Sequence, residues 1–251
     1  YEHIEQLVDR YKSVINSWIV VSGLHVNNHF TLNFEQIMDL TRMTAMLVKK
    51  THPSAKVLVE IRQPFGEYYA QNQRSIPPLM YADLVMQSAV QFDGFAIRYP
   101  MGQALPGQYA RDLMQFSHML DQYGPLGKPM HVGLTAPSQM VSAEMIAHSD
   151  PSTGGPVDAD CGYWRQEWSP QVQAHWMEAA CQIALGKTFV ESVAWHDLVD
   201  HPDIEMPLGG LVTEELQPKL AFRRMINFRK HFHEQRVNAD SAPSNAPMQG
   251  L

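Results

Sequence analysis

The sequence contains few cysteines, few basic residues and no long apolar run. Its 2 cysteines, Cys161 and Cys181, belong to no CxxC or Cys/His ligand spacing, so neither a metal site nor a disulfide framework is predicted. A single bridge between the two stays open. The 19 Lys and Arg residues against 26 Asp and Glu give a formal net charge of −7, which provides no basic field for nucleic acid. No run of about 18 apolar residues is present, so no membrane span is expected.

Carboxylates are missing from one stretch that otherwise has the features of a ligand-binding segment. No Asp or Glu occurs between Asp9 and Glu35. Within this stretch, the apolar run WIVVS (18–22) predicts a buried strand, and the loop after it contains His25 and Asn27. Loops that follow strands often bind ligands, and both side chains can form hydrogen bonds with one. No third ligand lies at a suitable spacing, so a metal site is not predicted there.

Strand and helix patterns alternate along the chain. The predicted strands are 18–22, 56–61, 92–98, 129–134 and 189–195. The predicted helices are 2–14, 34–50, 77–91, 107–124, 170–186 and 218–232, with Asn33 and Ser169 as N-caps. Strands separated by helical crossovers form a parallel sheet, and near-continuous apolar strands indicate a sheet covered on both faces. The fold class is therefore α/β with five βα units.

Two segments fall outside this repeat. Residues 135–168 form a long loop rich in Ser, Asp, Gly and Pro, and loops of this length inside a domain are usually functional. Its aromatic residues Tyr163, Trp164 and Trp168 are either a stacking platform or a hydrophobic anchor for the loop. The tail 237–251 is low in hydrophobic residues and is predicted to be disordered.

Several segments resemble glycoside hydrolase family 10, the retaining endo-xylanases. The family's fourth-strand segment "RYKG…WDVVNE" resembles IEQLVDRYKSVINSWIVV, and its sixth-strand "IDGIGLQ" resembles QFDGFAIR. Its seventh-strand "LGLPIHITELD" resembles GPLGKPMHV, while its eighth-strand tryptophan motif and "GLL…PKPAY" ending resemble ESVAWHDLVD and GGLVTEELQPKLAF. The similarity runs in order from Ile4 to about Arg229.

The resemblance implies a (β/α)8 TIM barrel, of which residues 1–236 supply strands 4 to 8. Five units cannot close such a barrel, so we expect three further units before Tyr1. The family also implies xylan-type polysaccharide metabolism, O-glycosyl hydrolase chemistry and a secreted or periplasmic location.

The family's two catalytic glutamates have no counterpart on this alignment. One ends the fourth strand as the acid/base and the other ends the seventh as the nucleophile, with the carboxyl groups about 5–5.5 Å apart. They fall on Gly23 and Leu134, and the preceding Asn of the fourth strand becomes Ser22. The nearest carboxylates, Glu35 and Glu144, are too distant in sequence for a small shift to supply either group. Conventional retaining hydrolysis is therefore not expected.

Side-chain alternation predicts which residues face the barrel mouth. In the second and third predicted strands these residues are Glu60, Arg62 and Arg98. Trp195 and Asp197 share one face of the last strand, and the resemblance implies that this tryptophan lies in the mouth, where it can stack on a sugar ring. The arginines can hold a carboxylate or sulfate, or the four charged residues can simply pair with one another in a buried polar layer. His131 has the opposite parity to Leu134 and is expected to face the helices.

Two functions remain open at this stage. In the first, the chain is a divergent glycosidase in which Glu60 and Asp197 replace the lost pair, at an inverting separation of about 6.5–9.5 Å. In the second, it is a catalytically inactive carbohydrate-binding or scaffolding domain, with acidic glycans among its candidate ligands. The polysaccharide or oligosaccharide is then expected to contact Trp195, Arg62, Arg98, His25 and Asn27. No cofactor is expected in either case.

Overall fold

The computed structural model describes residues 1–102, 109–140, 162–201 and 204–241. Three sequence features lie outside these residues: Cys161, Glu144 and the end of the predicted tail, 242–251. Residues 141–161 of the long loop are also outside them. Cys181 is buried and forms no disulfide with any described residue.

Strands and helices alternate as the sequence predicts. The five strands are β1 (Ser17–Ser22), β2 (Lys56–Ile61), β3 (Gly94–Pro100), β4 (Met130–Thr135) and β5 (Val190–Trp195). The α-helices in the described residues are α1 (Glu2–Tyr11), α2 (Phe34–Thr51), α3 (Pro78–Gln87), α4 (Leu113–Tyr123), α5 (Pro170–Leu185) and α6 (Leu220–Ser241). Two short 3-10 helices, Glu67–Ala70 and Gly124–Leu126, follow β2 and α4. Within the described residues, no helix combines the length and apolar character needed to cross a bilayer.

Polar side chains fix where the helices begin. The Asn33 side chain accepts a hydrogen bond from Gln36 N at 2.9 Å, and Gln36 Oε1 accepts one from Asn33 N at 2.8 Å, which is a capping box. Ser169 caps α5 as predicted, accepting from Val172 N at 3.2 Å. Helix α4 begins later than predicted because Asp112 is its N-cap, accepting from Gln115 N at 2.8 Å.

The sheet is parallel throughout, in the order β1-β2-β3-β4-β5. One of its faces is concave. Lys56 of β2 and Glu191 of β5 form an ion pair, although β3 and β4 lie between their strands. In a flat sheet these strands would be about 14 Å apart, so the contact requires a sheet that curls around this face. Leu58 and Glu60 share the face with Lys56, because side chains alternate along a strand.

The opposite face of the sheet packs against the helices. In β2 the wholly buried residues are Val57, Val59 and Ile61, with relative exposures of 0%. They belong to one core that includes Tyr81 of α3 and Trp176 of α5. Helices therefore cover the convex side, and the polar residues of the strands are left on the concave side.

Two predicted orientations are wrong, both in the last two strands. His131 pairs with Ala96 in the sheet register, and its Nδ1 lies 2.7 Å from Ser192 Oγ. Its Nε2 lies 3.8 Å from Glu191, so His131 belongs to the concave face and does not face the helices. The reason is that β4 turns its apolar set, including Leu134, towards the helices.

Trp195 does not lie in the barrel mouth. Its ring packs edge-on against Trp176 of α5, with centroids 6.1 Å apart, and only 9% of the residue is exposed. Its Nε1 donates to Gly209 O at 2.7 Å. Trp195 pairs with Leu134 in the register and shares its convex face, so it cannot stack on a sugar at the mouth.

Candidate functional site

The candidate site lies at the carboxyl ends of the strands, where ligands bind in barrels and open parallel sheets. The structure gathers there the described polar residues Ser22, Glu60, Arg62, Arg98, Thr135, His196, Asp197 and Glu205. Glu205 comes from the loop between β5 and α6, and the others end the strands or directly follow them. This edge therefore combines charges from neighbouring strands with one acid from a loop.

An arginine side chain packs against Gly23, the residue at the expected acid/base position. Gly23 has φ +63°, and a Cβ built on it would lie 2.8 Å from Arg62 Cδ. Its backbone N–H donates to Glu60 O at 3.3 Å, while the preceding Ser22 hydroxyl donates to the Glu60 carboxylate. A glutamate at position 23 would meet both an unfavourable backbone conformation and the Arg62 side chain. The packing of Arg62 against Gly23 therefore leaves no room for a glutamate side chain at this position unless Arg62 moves.

The expected nucleophile position is part of the core. Leu134 is 0% exposed and lies between Tyr99 and Trp195 in the sheet. The next residue, Thr135, has the opposite parity and donates to Asp197 Oδ2 at 3.3 Å. Strand β4 therefore contributes a hydroxyl to the concave side and no carboxylate.

Two arginines converge on one carboxylate; we call Arg62 and Arg98 the arginine clamp. Arg62 Nη2 contacts Glu205 Oε1, and Arg98 Nη2 contacts Glu205 Oε2 at 2.5 Å. The Arg98 side chain is 14% exposed, and its buried Nε has no hydrogen-bond partner among the described residues. Burial lowers the pKa of the Arg98 guanidinium, against the opposing charge of Glu205. Alternation along the strands predicts the two arginines at this edge, but no local sequence motif indicates Glu205, which lies in a loop.

The acids of the site differ in environment. Burial raises the pKa of the Asp197 carboxyl, against the lowering effects of His196, whose Nε2 is 3.8 Å from Asp197 Oδ1, and of Arg98. Burial likewise lowers the pKa of His196, and the Arg98 charge adds to this. Burial of this kind is the means by which proteins raise the pKa of a carboxyl group that acts as a general acid. Glu60 and Asp197 both act electrostatically on Arg98, so the structure brings the two predicted acids to the same edge.

His25 and Asn27, the loop residues predicted to contact a ligand, are both buried. His25 is 0% exposed, stacks on Tyr81 with centroids 5.0 Å apart, and its Nε2 lies 2.9 Å from Arg62 O. Burial lowers the pKa of His25 to about 4. The Asn27 amide donates to Leu32 O at 2.8 Å and to Arg74 O at 3.2 Å. Both side chains satisfy backbone groups of the loops, and His25 thereby positions the Arg62 backbone.

The tryptophans of the long loop are anchors. Trp168 is 3% exposed and Trp164 is 7% exposed, and Trp168 Nε1 donates to Gly162 O at 3.1 Å. Tyr163 is 61% exposed and stays available to a ligand. Among the described residues, no group of three or more His, Cys, Asp or Glu is placed to hold a metal ion.

The fold is similar to solved structures of xylanases. Native xylanase 10B from Thermotoga maritima has a TM-score of 0.58 at 14% identity, covering 94% of this chain and 66% of that chain. Xylanase 10B from Thermotoga petrophila, in complex with xylobiose, has a TM-score of 0.54 at 12% identity, covering 92% and 64%. An endo-1,4-beta-xylanase from Caldicellulosiruptor owensensis has a TM-score of 0.57 at 17% identity, covering 90% and 67%. No family model and no curated protein matches the sequence.

At these identities the similarity is one of fold. The chain spans about two-thirds of the length of these xylanases, and it supplies five consecutive parallel βα units. The predicted α/β TIM-barrel class and the resemblance to family 10 are confirmed at that level. The chain has the fold of family 10 xylanases, with Gly23 and Leu134 where the resemblance predicts the two catalytic glutamates.

Proposed function

We propose that this chain binds xylan-type polysaccharide or oligosaccharide at the carboxyl ends of its strands, without retaining hydrolysis. The observation that supports this most directly is the close approach of Arg62 to Gly23, where a Cβ would lie 2.8 Å from Arg62 Cδ. Retaining hydrolysis needs an acid/base and a nucleophile about 5–5.5 Å apart. At the two expected positions this chain has Gly23, which has no side-chain carboxyl group, and the buried Leu134.

The ligand class rests on the fold and on the composition of the site. One similar xylanase was solved with xylobiose, and strand ends of such barrels are the usual binding edge. The site offers charged and hydroxyl groups for sugar hydroxyls, including Glu60, Arg98 and Thr135. Its polar groups can therefore bind a sugar chain even where they cannot cleave it.

Calorimetric titration with xylobiose to xylohexaose, together with a reducing-sugar assay on the same samples, tests this function. We expect binding of the neutral oligosaccharides and no release of reducing ends. Release of sugar with retained anomeric configuration, followed by proton NMR, would refute the proposal. Failure of every xylo-oligosaccharide to bind would refute the ligand class.

A second candidate function is inverting hydrolysis by Glu60 and Asp197. The observation that favours it is the raised pKa of Asp197, caused by burial, together with the position of Glu60 at the same edge, because a general acid works better with a raised pKa. Any turnover should then invert the anomeric carbon and disappear in Glu60→Gln and in Asp197→Asn. Turnover that survives both substitutions would exclude these carboxyls.

A further inference from the structure

We propose that the arginine clamp is a subsite for the carboxylate of an acidic sugar, and that Glu205 occupies this subsite as an internal competitor. The inference rests on the proposed carbohydrate-binding function and specifies part of its ligand. A uronic acid group on a glycan would replace the Glu205 carboxylate between Arg62 and Arg98. Glu205 would then turn from the clamp towards solvent.

The two arginines lie next to each other at the ends of adjacent strands. Ile61 pairs with Ile97 in the β2–β3 register, so Arg62 and Arg98 are the next residues on adjacent strands. Like charges directly opposite each other destabilise a sheet, and the Arg62 charge contributes to the lowered pKa of Arg98. Such a pair needs an anion between its members, and a carboxylate has two oxygens for two guanidinium groups.

Glu205 lies between Asp200 and Gly210, two residues held by polar contacts. Asp200 forms an ion pair with Lys219, and its Oδ1 accepts from Gly210 N at 2.8 Å. Glu205 lies between these two attachment points in the sequence. Its side chain can therefore leave the clamp while β5 and α6 stay in place.

Glu205 is partly accessible to water in the clamp. The Arg62 side chain is 31% exposed and that of Glu205 is 19% exposed, whereas Arg98 is 14% exposed. Desolvation offsets part of the attraction in both pairs, and screening weakens the Arg62 pair further. A ligand carboxylate would restore the same two contacts. It could also accept from Arg98 Nε, which is buried and has no partner among the described residues.

The surrounding charges limit the subsite to one anion. Glu60 and Asp197 both act electrostatically on Arg98, so the two clamp cations already face two acids. A second negative charge would meet repulsion from both. The occupant in the structure is a carboxylate, and for this reason we assign a uronate, with sulfate as the competing anion in the test.

Calorimetry on the full chain with glucuronate, xylose and inorganic sulfate tests the inference. The variant Glu205→Gln removes the competitor, and Glu214→Gln is the matched control, because Glu214 is an exposed acid before α6. If Glu205 holds the clamp about nine-tenths of the time, its removal raises the apparent glucuronate affinity about tenfold. Glu214→Gln should leave that affinity unchanged, and xylose binding should be the same in all three proteins.

Two further variants separate the subsite from the rest of the surface. Arg98→Gln and the more exposed Arg62→Gln should each abolish the gain when combined with Glu205→Gln, in proteins whose circular dichroism is that of the wild type. No gain in Glu205→Gln, or an equal gain in Glu214→Gln, overturns the inference. An equal gain for sulfate overturns the assignment to a carboxylate. Binding of neutral xylo-oligosaccharides tests the broader function separately, because these ligands have no carboxylate to place between Arg62 and Arg98.

Discussion

Replacing Gly23 with alanine tests whether Arg62 holds the expected acid/base position. Gly23 has φ +63°, and an alanine Cβ there would lie 2.8 Å from Arg62 Cδ. The left-handed conformation costs a residue with a Cβ about 1–2 kcal/mol. The new methyl group must also push the Arg62 side chain away, because the Arg62 carbonyl is tied to His25 Nε2 at 2.9 Å and its backbone cannot easily follow.

Gly127 provides a matched control for the backbone cost. It has φ +66°, and a Cβ built on it has no neighbouring atom within 4 Å. Both Gly→Ala changes reduce the entropy of the unfolded chain equally, so this contribution cancels in the comparison. The excess cost in Gly23→Ala is therefore the cost of moving Arg62 from Glu205. For a partly exposed ion pair with a charged hydrogen bond, we expect about 1 kcal/mol.

Urea denaturation followed by tryptophan fluorescence measures both free energies of unfolding. We expect Gly127→Ala to lose about 1–2 kcal/mol and Gly23→Ala to lose about 1 kcal/mol more. Glucuronate binding should also weaken in Gly23→Ala and stay unchanged in Gly127→Ala, because only the former moves a clamp residue. Equal destabilisation of the two variants would show that Arg62 does not fill position 23.

Three further predictions follow from buried groups. Because the folded-state pKa of His25 is lowered from 6.5 to about 4, its contribution of about 3 kcal/mol is present above pH 6.5 and is lost as pH falls to about 4. Urea titrations at several pH values should show this loss diminished in His25→Gln and retained in the control His175→Gln, which changes an exposed residue. Trp195→Ala should lower the free energy of unfolding by about 3–5 kcal/mol, as for other buried aromatic residues, and a loss below 1 kcal/mol would contradict its core position. Lys219→Met should cost about 3–5 kcal/mol, because it leaves the buried Asp200 without its cation, and Asp200→Leu in the same chain should recover part of that loss.

Secondary structure was predictable because the local signals agree with the tertiary contacts. The β-branched run of β2 predicts a strand, and the structure places it at Lys56–Ile61, the predicted boundaries. Asn33 and Ser169 predict helix starts because their side chains satisfy backbone N–H groups that no helix can pair internally. The last helix extends to Ser241, beyond the predicted Phe232, because its sequence contains no proline or glycine before that point.

The orientation of the last two strands was harder to predict. Alternation separates Met130, Val132 and Leu134 from His131 in β4, but it does not say which set faces the helices. The answer depends on a contact that is remote in sequence: Trp176 of α5 packs on Trp195 with centroids 6.1 Å apart. The contact with Trp176 therefore orients Trp195 towards the helices. The family's tryptophan motif instead predicts this side chain on the concave side of the sheet.

The composition of the site was only half predictable. The arginines stand at strand ends, where alternation identifies them. Glu205 is 143 residues from Arg62 in sequence, in a loop with no periodic pattern, so only the folded chain reveals the pair. His25 and Asn27 showed the opposite problem, because polar loop residues are usually exposed, whereas these two are buried to satisfy backbone groups.

The absence of the acid/base glutamate is connected to the charges around it. A guanidinium remains protonated at any pH that the fold tolerates, so Arg62 cannot replace a general acid even though it takes the place of one. With Arg62 against Gly23 and Arg98 beside it, this edge of the sheet places two guanidinium groups around the Glu205 carboxylate. Restoring glutamate at position 23 alone would place a carboxylate on the clamp itself. That carboxylate would pair with Arg62, as Glu205 does. The ion pair would favour the ionised form of the carboxylate, which has no proton to donate.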